Sequence, residues 1–172
     1  MHIQLETSDV RSFRPADAKS LAVHANNRSV WLNLRDTFPH PYTVRDAREF
    51  IAFTLRQDPE THFAIAVEGH AAGAIGFRLH DDVERVSTEV GYWLGEAFWG
   101  RGIVTEALKA MTRYAFDTYG VTRVYAVPFE WNAPSQRVLE KAGYVFEGRM
   151  RRSATKDGRI IDQLLYAYLA PV

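Results

Sequence analysis

Between residues 86 and 119 the hydrophobic period changes across one short turn. VSTEVGYWL (86–94) alternates as a strand does, and Gly102 to Tyr119 repeats at helical spacing. The turn itself reads Phe98-Trp99-Gly100-Arg101-Gly102, so two glycines stand where a helix must begin. A helix opens with about four backbone N–H groups that lack intrahelical partners, and its dipole concentrates partial positive charge there. Glycines ahead of that start let the backbone approach a ligand closely. The combination is an anion site, most naturally for phosphate. A nucleoside-triphosphatase loop would need Gly-Lys-Ser/Thr where Ile103-Val104 stands. A dinucleotide fingerprint would need a third glycine where Thr105 stands, in a parallel unit near the start of the chain. On this loop alone, two glycines that merely turn the chain are an equal alternative.

The rest of the chain surrounds that turn with short elements. Residues 8–13 predict a first strand, and Pro15 with Asp17 suits the first turn of a helix to about Asn26. Thr43 and Asp46 form a capping-box-like start, followed by Ala47, Phe50, Ile51, Thr54 and Leu55 on one expected buried face. HFAIAVE and AAGAIGFRLH predict an antiparallel hairpin around a Gly-His turn. TRVYAVPF reads as a strand and APSQRVLEKAG as a short helix closed by Gly143. GYVFEGRMRRSAT and GRIIDQLLYAYL, joined through Lys-Asp-Gly, predict a closing hairpin. The expectation is a mixed α/β fold in one domain over 1–172, a mostly antiparallel sheet with helices inserted.

Composition then excludes several function classes. Lys plus Arg and Asp plus Glu both number 21, so no net field draws nucleic acid or an anionic membrane. There is no cysteine, which removes disulfides, thiolate metal sites and a cysteine nucleophile. None of the six histidines has a partner at metal-ligand spacing, so no metal is expected. No apolar run approaches the roughly 18 residues of a membrane span, and MHIQLETSDVRSF lacks the pattern of a signal peptide. A cytoplasmic location is the expectation.

EVGYWLGEAFWGRGIVTEA, followed some residues later by NAPSQRVLEKAGYVFEG, resembles the GNAT superfamily of acyl-CoA N-acetyltransferases. FPHPYT and the closing DGRIID are similar to its RimJ/RimL-type branch of ribosomal-protein N-terminal acetyltransferases. The resemblance implies a twisted sheet with splayed central strands, and acetyl-CoA as co-substrate. Its pyrophosphate loop falls on Trp99, Gly100, Arg101, Gly102, Ile103 and Val104, with Thr105 next. Gly102 matches the pattern, while Val104 replaces a glycine or alanine. Pantetheine would pair with free backbone groups near Trp93, Leu94 and Gly95, an addition of the ligand to a strand edge. The family's asparagine falls on Asn132, whose ordinary reading is a helix cap. Trp31, His40 and Tyr42 would line the acceptor pocket, against plain packing and loop roles.

Acetyl transfer needs a neutral amine, hence a general base. Glu89 is the choice: strand alternation puts it on one face with Gly91 and Trp93, and Gly91 leaves room for substrate. The alternative is a surface glutamate; Glu84 and Glu96 sit in turns. The tyrosine that many family members place seven residues after the asparagine is absent, because Leu139 stands there. Ser135 is then the hydroxyl nearest the expected sulfur, with local capping as its ordinary reading. Tyr125 and Tyr144 read as packing residues. Arg149, Arg151 and Arg152 alternate along one strand, with Arg149 and Arg151 on one face. They could guide an acidic peptide or the ribose phosphate of coenzyme A, against the ordinary reading of a charged outer face. The expected acceptor is a peptide or protein N-terminus. A small amine (polyamine, amino-acid derivative or antibiotic) and a non-catalytic acyl-CoA-binding role are the alternatives. A homodimer is implied only by the resemblance.

Overall fold

The computed structural model describes residues 1–171. In chain order the elements are β1 (His2–Gln4), β2 (Asp9–Arg11), α1 (Ala18–Ala25), α2 (Arg28–Trp31), α3 (Val44–Thr54), β3 (His62–Val67), β4 (His70–Leu79) and β5 (Ser87–Leu94). They continue with α4 (Ile103–Tyr119), β6 (Arg123–Ala126), α5 (Ala133–Lys141), β7 (Val145–Lys156) and β8 (Arg159–Leu169). The strands form one eight-stranded sheet in the order β1-β2-β3-β4-β5-β6-β8-β7. The pairs β1–β2, β2–β3, β3–β4, β6–β8 and β7–β8 are antiparallel, and β5–β6 is parallel. Contacts group the chain into residues 1–76 with 92–107, and 77–91 with 108 onward.

In the first group, α1 and α3 cover the sheet through a core of small and aromatic residues. Leu21, Ala22, Ala25, Ala47 and Ile51 meet Ala64, Ala71 and Ala74, with Phe38, Phe50 and Trp93 packed at the border. Thr43 and Asp46 form the expected capping box at the start of α3: the Thr43 hydroxyl accepts from the Asp46 amide and the Asp46 carboxylate from the Thr43 amide. Leu55 departs from the expectation. It stands one residue beyond the last turn of α3 and is half exposed, because the apolar stripe leaves the core where the helix ends. The β3–β4 turn is Glu68-Gly69 rather than Gly-His, with φ of 51° and 80°, and His70 already pairs with Val67. Two consecutive positive φ values match the right-handed twist of the flanking strands. β1, which pairs with β2, was not expected; three residues carry too little pattern to announce a strand.

One ion pair in this group is deeply buried. Arg11 on β2 donates to both carboxylate oxygens of Asp17, each at 2.8 Å, with both side chains under 10% exposed. Burial alone would raise the Asp17 carboxyl, but the Arg11 guanidinium and the Arg14 amide outweigh it and hold it below its ordinary value. Asp17→Ala leaves Arg11 unpaired, and urea denaturation is expected to show a loss of about 3–5 kcal/mol. Because the folded carboxyl is depressed, its stabilisation is complete above the unfolded value of about 3.9. It disappears as pH falls through the folded value, so the variant is expected to lose that part of the acid limb of the stability curve.

The second group is built on β6, β8 and the last two-thirds of α4. Leu108, Met111, Val124, Leu139, Ile161, Tyr166 and Ala167 are all buried. The Gly143 amide bonds the Glu140 carbonyl and the Tyr144 amide bonds the Leu139 carbonyl, the paired closure expected of a glycine-terminated helix. Tyr144 is a packing residue as read: it is 3% exposed and its hydroxyl lies 2.7 Å from that of Thr112. The register of β7 against β8 shifts between Met150 and Ala154, so the simple alternation expected through Arg149, Arg151 and Arg152 is interrupted. Arg149 forms ion pairs with Asp162 and Glu130, a charged outer surface.

Candidate active site

The turn that opens α4 is held from beneath and left bare on top. The Gly95 amide donates to the Ala72 carbonyl of β4 at 2.8 Å, and the Gly95 carbonyl accepts from Phe98 at 3.0 Å. A Cβ at Gly95 would come within 2.8 Å of His24 Nδ1, so α1 packs against this corner too closely for a side chain. The Trp99 indole donates to the Leu94 carbonyl at 2.7 Å, which ties the turn back to the end of β5. Beyond Trp99, Gly100 and Gly102 have φ of 76° and 81°, conformations that cost other residues strain. A Cβ at either position would meet nothing within 4 Å, so the space above the backbone is open.

Helix α4 then begins at Ile103, which is buried and anchors the turn, and Glu106 makes the first intrahelical bond to Gly102 at 3.1 Å. Among the described residues, none of the amides from Gly100 to Thr105 donates to a backbone carbonyl. Six amides, two of them on exposed glycines, therefore stand at the positive end of a 17-residue helix. The Arg101 guanidinium lies 5.5 Å from the Phe98 ring centroid, on the same turn. Burial holds the His24 imidazole, edge-on to Phe98 at 5.2 Å, below its ordinary value. This arrangement suits a diphosphate: backbone donors supply geometry, and the helix end and Arg101 supply charge.

Expectation and structure differ over the strand beside it. Both peptide groups of Gly95 are engaged, so the reading of Gly95 as a free partner for pantetheine is revised. Successive residues of a strand turn their peptide groups to opposite neighbours. With Gly95 bonded to β4, Leu94 and Tyr92 are the residues whose groups turn away from it. The Leu94 carbonyl already holds the Trp99 indole, and its amide belongs to the outward set.

The acceptor candidates fall into two small clusters. Trp31 packs at a tilt against His40, with ring centroids 5.7 Å apart, and the Arg28 guanidinium lies 5.4 Å from the indole centroid. Tyr42 is 6% exposed and packs on Phe38 at 4.7 Å, and Phe38 meets Trp93 edge-on at 5.4 Å. Burial, with Asp46 nearby, pushes the Tyr42 phenol up to about 12. Tyr42 is thus a buried member of the Phe38–Trp93 aromatic cluster whose phenol keeps its proton at neutral pH.

In the second contact group, Glu89 lies on β5 and is the ladder partner of Tyr125 on β6, the last of the three rungs Ser87–Arg123, Thr88–Val124 and Glu89–Tyr125. Gly91, next on the same face, is exposed and a Cβ there would meet nothing within 4 Å. The Asn132 side-chain oxygen accepts from the Ser135 amide at 3.2 Å, so Asn132 is an N-cap and Ser135 lies in the first turn of α5. Leu139, where a tyrosine was sought, is fully buried core. His80, which sequence reasoning passed over, has its Nε2 2.7 Å from the Tyr125 hydroxyl. Among the described residues no three His, Asp or Glu side chains converge as a metal-binding group. None of the described helices is long and apolar enough to cross a membrane.

A glycine turn between a central strand and a helix, an asparagine-capped helix and an eight-stranded mixed sheet agree with a family match. The acetyltransferase (GNAT) domain family matches residues 9–145. The chain belongs to the GNAT acetyltransferase family. Among GNAT relatives, a putative ribosomal N-acetyltransferase of Bacillus subtilis, YdaF, is 32% identical over 167 residues, covering 93% of this chain and 90% of that protein. The ribosomal-protein-serine acetyltransferase of Escherichia coli is 28% identical over 106 residues, covering 61% of this chain and 58% of its own length. In fold, this GNAT chain superposes on RimL, a ribosomal L7/L12 alpha-N-protein acetyltransferase solved in complex with coenzyme A. The TM-score is 0.85 at 22% identity, with 98% of both chains covered. The protein is therefore a GNAT N-acetyltransferase.

Proposed function

We propose that this GNAT enzyme moves an acetyl group from acetyl-CoA to the α-amine of a peptide or protein N-terminus, by direct attack within a ternary complex. The observation that carries the donor assignment is the set of amides from Gly100 to Thr105 at the head of α4, beneath open space. Those amides, with Trp99 shaping the turn and Arg101 adding charge, hold the pyrophosphate. Backbone groups of Tyr92 and Leu94, alongside Trp93, pair with the pantetheine arm, and Asn132 is assigned to donor binding as well as to its cap. Acetyl-CoA supplies an activated thioester whose carbonyl the amine attacks.

Glu89 acts as the base, through water, and keeps the amine neutral. The open space at Gly91 beside it supports this reading. Ser135 donates a hydrogen bond toward the departing sulfur; a serine hydroxyl is too weak an acid for more. Trp31, His40 and Tyr42 shape the acceptor side. An N-terminal α-amine, with an ordinary value of about 7.7–8.0, asks less of one carboxylate base than a lysine-type amine at about 10.4. The names of the Bacillus and Escherichia relatives point the same way.

The test is a thiol-release panel with acetyl-CoA, in which Ser- and Ala-terminated peptides, polyamines and aminoglycosides compete as acceptors. Peptides are expected to give kcat/KM at least about tenfold above any small amine. Turnover of a polyamine or aminoglycoside with silent peptides would move the assignment to small-molecule acetylation.

A further inference from the structure

A hydrogen-bonded pair of side chains lies on the same sheet face as Glu89 and takes no part in the chemistry above. Glu89 and Tyr125 are partners on one rung of a parallel ladder, so their side chains leave the sheet on the same face. Neighbouring strands lie about 4.8 Å apart, so the two side chains start next to each other. The Tyr125 hydroxyl is 2.7 Å from His80 Nε2, and the two ring planes are nearly parallel, 6° apart. His80 directly follows β4, the strand that flanks β5 on the side away from β6. The Thr88 hydroxyl on the Arg78 carbonyl, 2.9 Å, fixes that edge of β4 against β5. The tyrosine–histidine bond therefore crosses over β5, the strand that carries Glu89. Its far end is near the surface: His80 is half buried, and Asp81 and Asp82 beyond it are exposed. Arg123 lies 5.8 Å from the Tyr125 ring centroid and is itself paired with Glu147.

We propose that Tyr125 and His80 form the outlet through which the proton taken up by Glu89 reaches solvent, an inference that rests on Glu89 being the base. An amine that arrives as an ammonium ion loses two protons on becoming an amide. As the C–N bond forms and the C–S bond breaks, one proton ends on the departing thiolate and the other must reach water. Glu89 accepts that second proton. It returns the proton to the Tyr125 oxygen while the phenol's own hydrogen moves to His80 Nε2, so no free phenolate forms. The imidazolium releases a proton from Nδ1 to water, and exchange of the ring protons with solvent restores the Nδ1–H tautomer. His80 and Tyr125 act through Glu89 and touch neither substrate.

The experiment measures thiol release from acetyl-CoA with the best acceptor of the panel above, for the full chain and four variants: Glu89→Gln, Tyr125→Phe, His80→Ala and His80→Gln. Tyr125→Phe and both His80 variants are expected to lose about tenfold in kcat, less than the ~10²–10⁴ of direct acid–base catalysis. KM for acetyl-CoA is expected to stay within about twofold in all three. Added imidazole is expected to restore His80→Ala and to leave Tyr125→Phe and wild type unchanged. The relay is overturned if His80→Gln, whose amide can still bond the phenol but cannot carry a proton, matches wild type. It is equally overturned if His80→Ala ignores imidazole, which marks a purely structural role. Wild-type turnover by Glu89→Gln sinks the base assignment instead, whereas a crippled Glu89→Gln beside fully active His80 and Tyr125 variants sinks the relay alone.

Discussion

Glu89→Gln is expected to lower kcat by about 10²–10⁴-fold while acetyl-CoA binding stays within about twofold. The amide keeps the shape and polarity of the carboxylate but cannot take a proton at neutral pH. Its strand neighbours Thr88 and Val90 are buried and hold β5 in register, so the substitution changes chemistry without repacking the sheet. Steady-state kinetics with calorimetric titration of acetyl-CoA separates the two effects. Because the loss lies in proton removal, raising the pH is expected to recover part of the rate as the acceptor amine deprotonates unaided. A rate loss that matches a loss of acetyl-CoA affinity would instead place Glu89 in donor binding.

The second large effect belongs to Gly102. Gly102→Val puts a β-branched side chain at φ of 81° and fills the open space over the amide cradle. Hydrogen bonds to a charged group contribute about 1.5–3 kcal/mol each, so displacing two amides weakens coenzyme A binding by roughly 100-fold or more. Left-handed backbone at a bulky residue also costs about 1–2 kcal/mol of stability. Calorimetry for affinity and thermal melting for stability keep the two costs apart. Pantetheine, which has no phosphate, is expected to bind the variant and the wild type alike.

Local signals survived from sequence to structure, and pairings distant in sequence did not. The capping box at Thr43 and the closure of α5 at Gly143 depend on residues three to five apart, and both stand as read. The glycine turn before α4 was legible for the same reason: helix start, glycines and preceding strand are contiguous. The role of Gly95 was misread because which neighbour a peptide group faces depends on strand register. That register was set by Ala72, 23 residues earlier in the chain. Leu55 was read as buried because periodicity alone does not say where a helix stops. The pairing of Glu89 with Tyr125, and the reach of Tyr125 to His80, depend on a parallel ladder across an intervening helix. No spacing in the sequence announces it, and Tyr125 alone reads as one more aromatic residue on a strand. The absent tyrosine was legible, and its physical reason emerged only in the fold: Leu139 faces the core.

The central claim is that the main-chain nitrogens of residues 100–105 receive the diphosphate of the acetyl donor. Amide 1H–15N spectra of the full chain, titrated in parallel with coenzyme A and with pantetheine, test it directly. Saturating shifts at Gly100, Gly102 and Thr105 with coenzyme A, absent with pantetheine, are the expected result. Coenzyme A that binds while those amides stay at their free positions would contradict it.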